Sequence, residues 1–354
     1  MRYGIIPTRL SERLALWLGR VPVPIADCLL PLLQTRSLMV ALRLGIVDAI
    51  GKGQATAADV ARACALDADT VAMLLRVLVS AGYVSLASRG TARAHTRYRL
   101  SPLGVQTLLP GSAGRARGYL MWNFVQWRLI EDLEQVVRTG CGIDFHKRMH
   151  GEENWKWYQE AMLDLAQAAA PILARLVPVG RGARTLVDIG GSHGLLGAAI
   201  CRRHPPMRSI VIELPSAVEQ ARAAAREAGV DDVVEHRAGN VLEEGVPAGA
   251  DVVLLANVVH HFTRKDAIEV LRKARAAMSS PGTIAIWDFD RPAPDAPPEL
   301  AADATALYFR LTSTSQVVPG EEYATWLREA GFRDARVKRT VHAPFQVLAL
   351  GTKS

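Results

Sequence analysis

The sequence predicts an α/β protein in which an α-helical winged-helix domain precedes a mostly parallel sheet of nucleotide-binding type. Three observations carry that expectation. First, TLVDIGGSHG (Thr185–Gly194) runs a strand into a glycine turn, and LLGAAICRRH continues it as a helix. A buried strand feeding such a turn and helix opens a nucleotide-binding βαβ unit. Second, strand patterns alternate with helical ones from Thr185 onward, the signature of a parallel sheet covered by helices. Third, short capped helices followed by two strands precede that region, in the order of a winged helix-turn-helix.

The chain of 354 residues suffices for two domains. Its 49% hydrophobic content supports real cores, and 42 Lys+Arg against 35 Asp+Glu leave a net charge of +7. That balance permits an anionic partner without requiring one. Cys28, Cys64, Cys141 and Cys201 are far apart and form no CxxC pair. They read as free thiols in a reducing compartment. The N-terminus lacks a continuous apolar core and a small-residue cleavage site, so no signal peptide is expected. No stretch of about 18 uncharged apolar residues occurs, so no membrane span is expected. The expected location is cytoplasmic.

Residues 1–24 form a short amphipathic lead ended by Pro22 and Pro24. From Ala26 to Ile50 apolar positions recur at helical spacing. Thr56 can cap the next helix, and Asp67 or Asp69 the one after. That helix ends at Ala81-Gly82, a strand starts at Tyr83, and RYRLSPLG from Arg97 returns as its partner. The wing is basic, with Arg89, Arg93, Arg97 and Arg99. A helix meant for the major groove should offer several polar side chains to base edges. DTVAMLLRVLVSAG offers Arg76 and an otherwise apolar or small face, so the module reads as a dimerisation domain with solvated arginines and no nucleic-acid partner.

Residues 112–180 are helical and rich in aromatics: Tyr119, Trp122, Phe124, Trp127, Phe145, Trp155, Trp157 and Tyr158. Most should pack between helices, with one or two left to line a pocket for a flat substrate. Arg128, Glu131 and Asp132 read as a solvated face. The expected division is 1–110, 111–180 and 181–354.

In the last part, SIVIEL ends in Glu213 and VVEHRAG ends near Asn240. ADVVLLAN ends at Asn257, and TIAIWDF contains Asp288. DARVKRTV and FQVLALGT close the sheet. SAVEQARAAAREAG, KDAIEVLRKARAAM and EEYATWLREAG are the intervening helices. The loop DRPAPDAPP lies near the sheet's carboxyl edge, where open α/β sheets bind ligands.

The glycine turn does not match the dinucleotide fingerprint G-x-G-x-x-G, because Ser192 and Leu195 stand where glycines would be needed. It reads instead as acid-x-G-x-x-x-G, from Asp188 through Gly190 to Gly194. Glu213, about 20 residues further on, can accept ribose hydroxyls. Gly239-Asn240 ends the third strand, where an adenine would lie, and the Asn240 amide can accept from its amino group. ANVVHHFTRKDA brings two histidines to the fourth strand's carboxyl end. Imidazole suits proton transfer near neutral pH, so His260 is a candidate base; alternatively it caps the following helix. A metal on His260, His261 and Asp288 is conceivable. Adjacent histidines rarely point to one side, so no metal is expected.

The turn resembles motif I of class I S-adenosylmethionine-dependent methyltransferases, D-x-G-G-G-x-G, with Ser192 in place of the third glycine. Further stretches resemble the small-molecule O-methyltransferases that include plant caffeate methyltransferases, acetylserotonin methyltransferase and bacterial tailoring enzymes. VIELPSAV resembles the family's DLPxV, VVHHF its HDW, and REAGF its AGF stretch before the last strands. WRLIEDLEQVVRTG and YQEAM resemble its substrate-lining helices. The resemblance implies a Rossmann-like methyltransferase domain behind a winged-helix dimerisation domain. It implies S-adenosyl-L-methionine held by Asp188, Gly190, Gly191, Gly194, Glu213, Leu214, Gly239, Asn240 and Asn257. It further implies His260 as general base oriented by Asp288, and Trp127, Met162 and His261 facing a small aromatic, phenolic acceptor in a homodimer. The departures are His261 for an aspartate, Phe262 for a tryptophan, and Asp288 for a glutamate one methylene longer. A second orienting glutamate is missing near Val317. Carbon or nitrogen methylation, a winged-helix regulator and a nicotinamide oxidoreductase are the rival readings. A further rival keeps the cofactor but uses its sulfonium charge alone.

Overall fold

The computed structural model describes Gly4 and residues 6–88, 96–112, 114–145, 149, 151–313 and 315–354. The chain divides into two compact units. One comprises Arg2–Val125 and Lys156–Asp164, the other Gln126–Trp155 and Leu165–Ser354. The helical stretch 111–180 is therefore shared between them.

In the first unit, α1 (Leu10–Trp17) and α2 (Val23–Arg43) precede α3 (Ile46–Gly51). The helical pattern expected over 26–50 is thus two helices. Gly45 separates them at φ +75°, a left-handed conformation that ends a helix and that glycine adopts without strain. Thr56 caps α4 (Ala57–Cys64): its hydroxyl accepts from Asp59 N at 3.1 Å, and Asp59 Oδ2 accepts from Thr56 N at 3.1 Å. Asp67, not Asp69, caps α5 (Ala68–Ser80), accepting from Thr70 N at 2.8 Å. β1 (Ala55–Thr56), β2 (Val84–Ser88) and β3 (Arg97–Leu100) form an antiparallel sheet in the order β1-β3-β2, one strand more than expected. Tyr98 and Leu100 face the core while Arg97 and Arg99 point to solvent, the alternation of a half-buried strand. Arg89 and Arg93 lie outside the described residues. α6 (Pro102–Leu108) follows the wing.

α2 is long and apolar enough to cross a membrane by length and composition alone. The expectation of no such segment rested on Asp27 and Arg36, which interrupt it. Ile25, Leu29, Leu30, Leu32 and Leu33 are exposed on it.

α7 (Arg117–Ile130), α8 (Leu133–Thr139) and α9 (Glu152–Leu176) lead to the second unit's sheet. Its strands are β4 (Thr185–Ile189), β5 (Arg208–Glu213), β6 (Val234–Ala238), β7 (Ala250–Ala256), β8 (Met278–Phe289), β9 (Arg333–Arg339) and β10 (Gln346–Lys353). They order as β6-β5-β4-β7-β8-β10-β9, and β10 runs antiparallel to both neighbours. The remaining pairs along β6 to β8 are parallel. The order reverses between β4 and β7, which makes that junction the topological switch point.

The intervening helices are α10 (Leu195–Arg203), α11 (Val218–Glu227), α12 (Arg264–Ala277), α13 (Leu300–Thr312) and α14 (Gly320–Glu329). α13 was not foreseen; it follows the proline-rich loop. One apolar layer joins Val187, Ile189, Val253 and Leu255 to α12 and α14. Another joins Leu186, Val252, Leu254 and Trp287 to α9 and α10. The central strands are buried on both faces, which is why they read as apolar runs.

Candidate active site

The glycine turn leaves β4 at the switch point. Gly190 N donates to Ile212 O at 2.8 Å, so the chain leans over β5. Gly190 has φ +66°, and a Cβ there would stand 2.9 Å from Val258 Cγ2. At Gly191 a Cβ would stand 2.5 Å from Asp188 Oδ2. Gly194, the N-cap of α10, has φ +71° and lies against Val234 and Val211. Each glycine of the motif thus sits where a side chain would collide.

Asp188 is fully buried beneath the turn, and no donor reaches either carboxylate oxygen with hydrogen-bond geometry. Burial pushes its pKa up to about 7; the Gly197 amide offsets part of that, and the Glu213 charge adds to it. Glu213 ends β5. Its Oε2 accepts from Ser192 N at 3.1 Å and its Oε1 from Leu214 N at 2.9 Å. Burial raises this acid too, against those two amides. Leu214 is exposed. Gly239 follows β6, and its N donates to Glu213 O at 2.9 Å. Asn240 closes its own turn: Oδ1 accepts from Leu242 N at 3.1 Å and Nδ2 donates to Glu243 at 2.9 Å. These residues fit a nucleoside. A carboxylate stands at a strand end for hydroxyls, and the glycines leave backbone bare of side chains beside it.

Beyond β7 the chain turns at Asn257, whose φ is +54°. Its N donates to Trp287 O and its Oδ1 accepts from Gln346 Nε2, both at 2.7 Å. A single 3₁₀ turn, Val259–His261, then carries the two histidines. His260 Nδ1 lies 2.6 Å from Asp288 Oδ1, and His260 N donates to Asp288 Oδ2 at 3.1 Å. Phe289 N also donates to Oδ1, at 2.8 Å. His260 is 2% exposed and Asp288 0%. An ionised carboxylate only accepts, so the proton of the imidazole sits on Nδ1 and Nε2 keeps its lone pair. The shorter acid reaches because β8 places it under the turn. Thr263 caps α12, accepting from Asp266 N at 3.2 Å, so His260 is not the cap.

His261 departs from its neighbour. Ser313 Oγ donates to His260 O at 3.3 Å, and His261 Nδ1 lies 3.1 Å from that same Ser313 Oγ. Ser315 Oγ donates to Phe262 O at 2.6 Å. These serines, just past α13, brace the histidine turn where the expected second glutamate is missing; Val317 is buried. Among the described residues no group of three metal-binding side chains occurs. The two imidazole rings lie side by side with centroids 4.2 Å apart, against the expectation that adjacent histidines point apart, while their Nδ1 atoms bond different partners, Asp288 and Ser313.

Sequence reasoning missed the aromatic wall here. The Phe309 ring lies 4.3 Å from that of His260 and 4.4 Å from that of Phe289. The serines were missed too, because neither sits in a local motif. The one available signal was the helical spacing of LAADATALYFRLT before Ser313. Trp127 on α7 and Met162 on α9 are both partly buried, in different units of the chain. Trp122 and Tyr158 pack edge to face at 5.2 Å, as helix-packing aromatics should.

A family model described as the O-methyltransferase domain matches residues 129–333, and an O-methyltransferase dimerisation domain matches 27–109. The 3-hydroxy-5-methyl-1-naphthoate 3-O-methyltransferase of Streptomyces sahachiroi is 24% identical over 343 residues, 94% of this chain and 96% of that one. The solved mitomycin 7-O-methyltransferase superposes with a TM-score of 0.78 at 25% identity, covering 98% of this chain and 100% of the other. Human N-acetylserotonin methyltransferase, solved in complex with S-adenosylmethionine, gives 0.81 at 18% identity over 99% and 100%, a likeness of fold. With the first model spanning more than half of its length, the chain belongs to the O-methyltransferase family.

Proposed function

We propose that this O-methyltransferase uses S-adenosyl-L-methionine to methylate a hydroxyl of a small aromatic acceptor, with His260 as the general base. The observation that carries the reading is the buried His260–Asp288 pair at 2.6 Å, held at the sheet's carboxyl edge beside the switch point. The cofactor, when bound, supplies an activated methyl on a sulfonium. Glu213 accepts ribose hydroxyls, the Gly190–Gly194 backbone lines the cofactor's approach, and Asn240 with Gly239 borders the base. Leu214 and Asn257 flank these groups, and Asp188 supports the turn from below.

A phenol must lose its proton to become a good nucleophile. His260 Nε2 takes that proton while Asp288 stabilises the resulting imidazolium through Nδ1–H. Bound by Glu213 and the Gly190–Gly194 backbone, the cofactor would supply its sulfonium methyl to the phenolate oxygen, the sulfur keeping the electron pair of the broken bond. Holding oxygen and methyl in line supplies much of the rate. Phe309 and Phe289 offer flat apolar faces to an aromatic ring, and His261 and Trp127 belong to the same unit as that wall. The exposed apolar residues of α2 pair two chains in a homodimer, and neither nucleic acid nor membrane is a partner. The cysteines form no disulfide among the described residues, which suits a reducing, cytoplasmic setting.

Calorimetric titration with S-adenosylmethionine and S-adenosylhomocysteine, then labelled-methyl transfer to a panel of phenols, tests the reading. His260→Ala should lower kcat by about 10²–10⁴ and leave S-adenosylhomocysteine affinity intact. Unchanged turnover removes His260 from the mechanism; absence of binding by either nucleoside removes the cofactor.

A further inference from the structure

Ser192 stands in the glycine turn at φ +48°, a conformation that side-chain-bearing residues adopt only at a cost. Its two backbone polar groups are both held. The amide donates to Glu213 Oε2 at 3.1 Å, and the carbonyl lies 2.8 Å from His236 Nε2. A carbonyl accepts only, so that nitrogen carries the proton. His236 is a buried residue on β6, the sheet's edge strand. It shares a face with Val234, against which Gly194 packs. Arg222 on α11 fixes the histidine's own backbone, donating to His236 O at 3.0 Å. Burial lowers the pKa of this imidazole; the Ser192 carbonyl pulls the other way, and Arg222 and Arg226 lower it further.

We propose that His236 is a positioning residue for the cofactor turn. Its Nε2–H holds the Ser192 carbonyl and keeps that serine in the left-handed conformation a glycine would adopt unaided. With Ser192 so held, its amide donates to Glu213 Oε2 and helps orient the acid read above as the ribose acceptor. His236 touches neither cofactor nor acceptor. The proposal rests on the reading of the Asp188–Gly194 turn as the S-adenosylmethionine site.

The test is a double-mutant cycle with two readouts on the full chain: S-adenosylhomocysteine affinity by calorimetry, and amide hydrogen exchange across residues 188–195 without ligand. His236→Leu fills the space without a donor and should weaken affinity about tenfold and speed exchange in the turn. His236→Gln keeps a donor and should recover most of that loss. In a Ser192→Gly background His236→Leu should cost about threefold or less, because glycine needs no restraint there. Equal losses in both backgrounds, or a glutamine no better than leucine, overturn the proposal. If His236→Leu does not fold, His236→Gln against His236→Asn, whose shorter amide falls short of the carbonyl, decides the same question. Should the unaltered chain not bind S-adenosylhomocysteine, the cofactor reading fails by itself and exchange still decides. Faster exchange in His236→Leu, reversed by glutamine and by Ser192→Gly, upholds His236; unchanged exchange overturns it.

Discussion

Asp188 and Asp288 lie fully buried near the carboxyl ends of β4 and β8 of the same sheet, yet they are accommodated differently. Asp288 meets three donors, two backbone amides and one imidazole N–H. Asp188 has no donor at hydrogen-bond geometry; burial moves its pKa up to about 7, with the nearby Gly197 amide offsetting only part of that. A buried carboxylate is tolerated either by pairing or by taking up a proton. The β8 side uses the first route and keeps an oriented, three-donor carboxyl group. The β4 side uses the second and keeps a compact support under a turn of bare backbone. Pairing suits a site that must stabilise a cation formed during reaction. Neutralisation suits a site whose work is shape.

The largest effect should come from the paired acid. Asp288→Asn presents an amide N–H where His260 Nδ1–H now donates, which favours the other tautomer and removes the charge. Turnover should fall about 10²–10⁴-fold while S-adenosylhomocysteine affinity, read by calorimetry, stays within about twofold. A parallel loss of affinity would show that the two sides are not separable.

Next comes the unpaired acid. Its folded pKa lies above the unfolded value, so between about pH 4 and 7 the folded chain holds the extra proton. The unaltered chain should therefore lose stability as pH rises through that window, by at most about 4 kcal/mol. Asp188→Asn should lack that slope in urea melts at pH 5 and pH 8. Identical slopes in both chains would mean that Asp188 ionises without penalty.

The smallest effect belongs to Glu213, which lies between the two regimes with an amide on each oxygen. Glu213→Gln should weaken S-adenosylhomocysteine binding about tenfold and leave the turnover of saturated enzyme nearly unchanged. A change in turnover instead would place Glu213 on the chemical side of the comparison.

Much of the fold was legible because its signals are local. Thr56 and Asp67 cap helices, as short polar side chains do beside an amide. Val187, Val253 and Ile286 lie in apolar runs because parallel strands are covered on both faces. The boundary at Gly45 was missed since an apolar helical pattern continues through it; a left-handed residue leaves no mark on periodicity. The third wing strand was too short to show a pattern. In the site, the carboxyl-end positions of Glu213, Asn257 and His260 followed from strand ends.

The sequence by itself determined which residues reach the sheet's carboxyl edge: Asp188, the glycines, Glu213 and the histidine pair. Each sits within a few positions of a strand end, and strand ends are local. Only the tertiary structure decided which of them meet. Asp288 is read from its strand as one acid too short, yet the β7–β8 register brings it under His260 at 2.6 Å. Ser192 reads as a lost glycine, yet β6 supplies His236 from the far side of β5. Ser313 and Phe309 come from a helix with no motif at all. Such pairings depend on strand order and register, which many distant contacts fix together and no short stretch encodes.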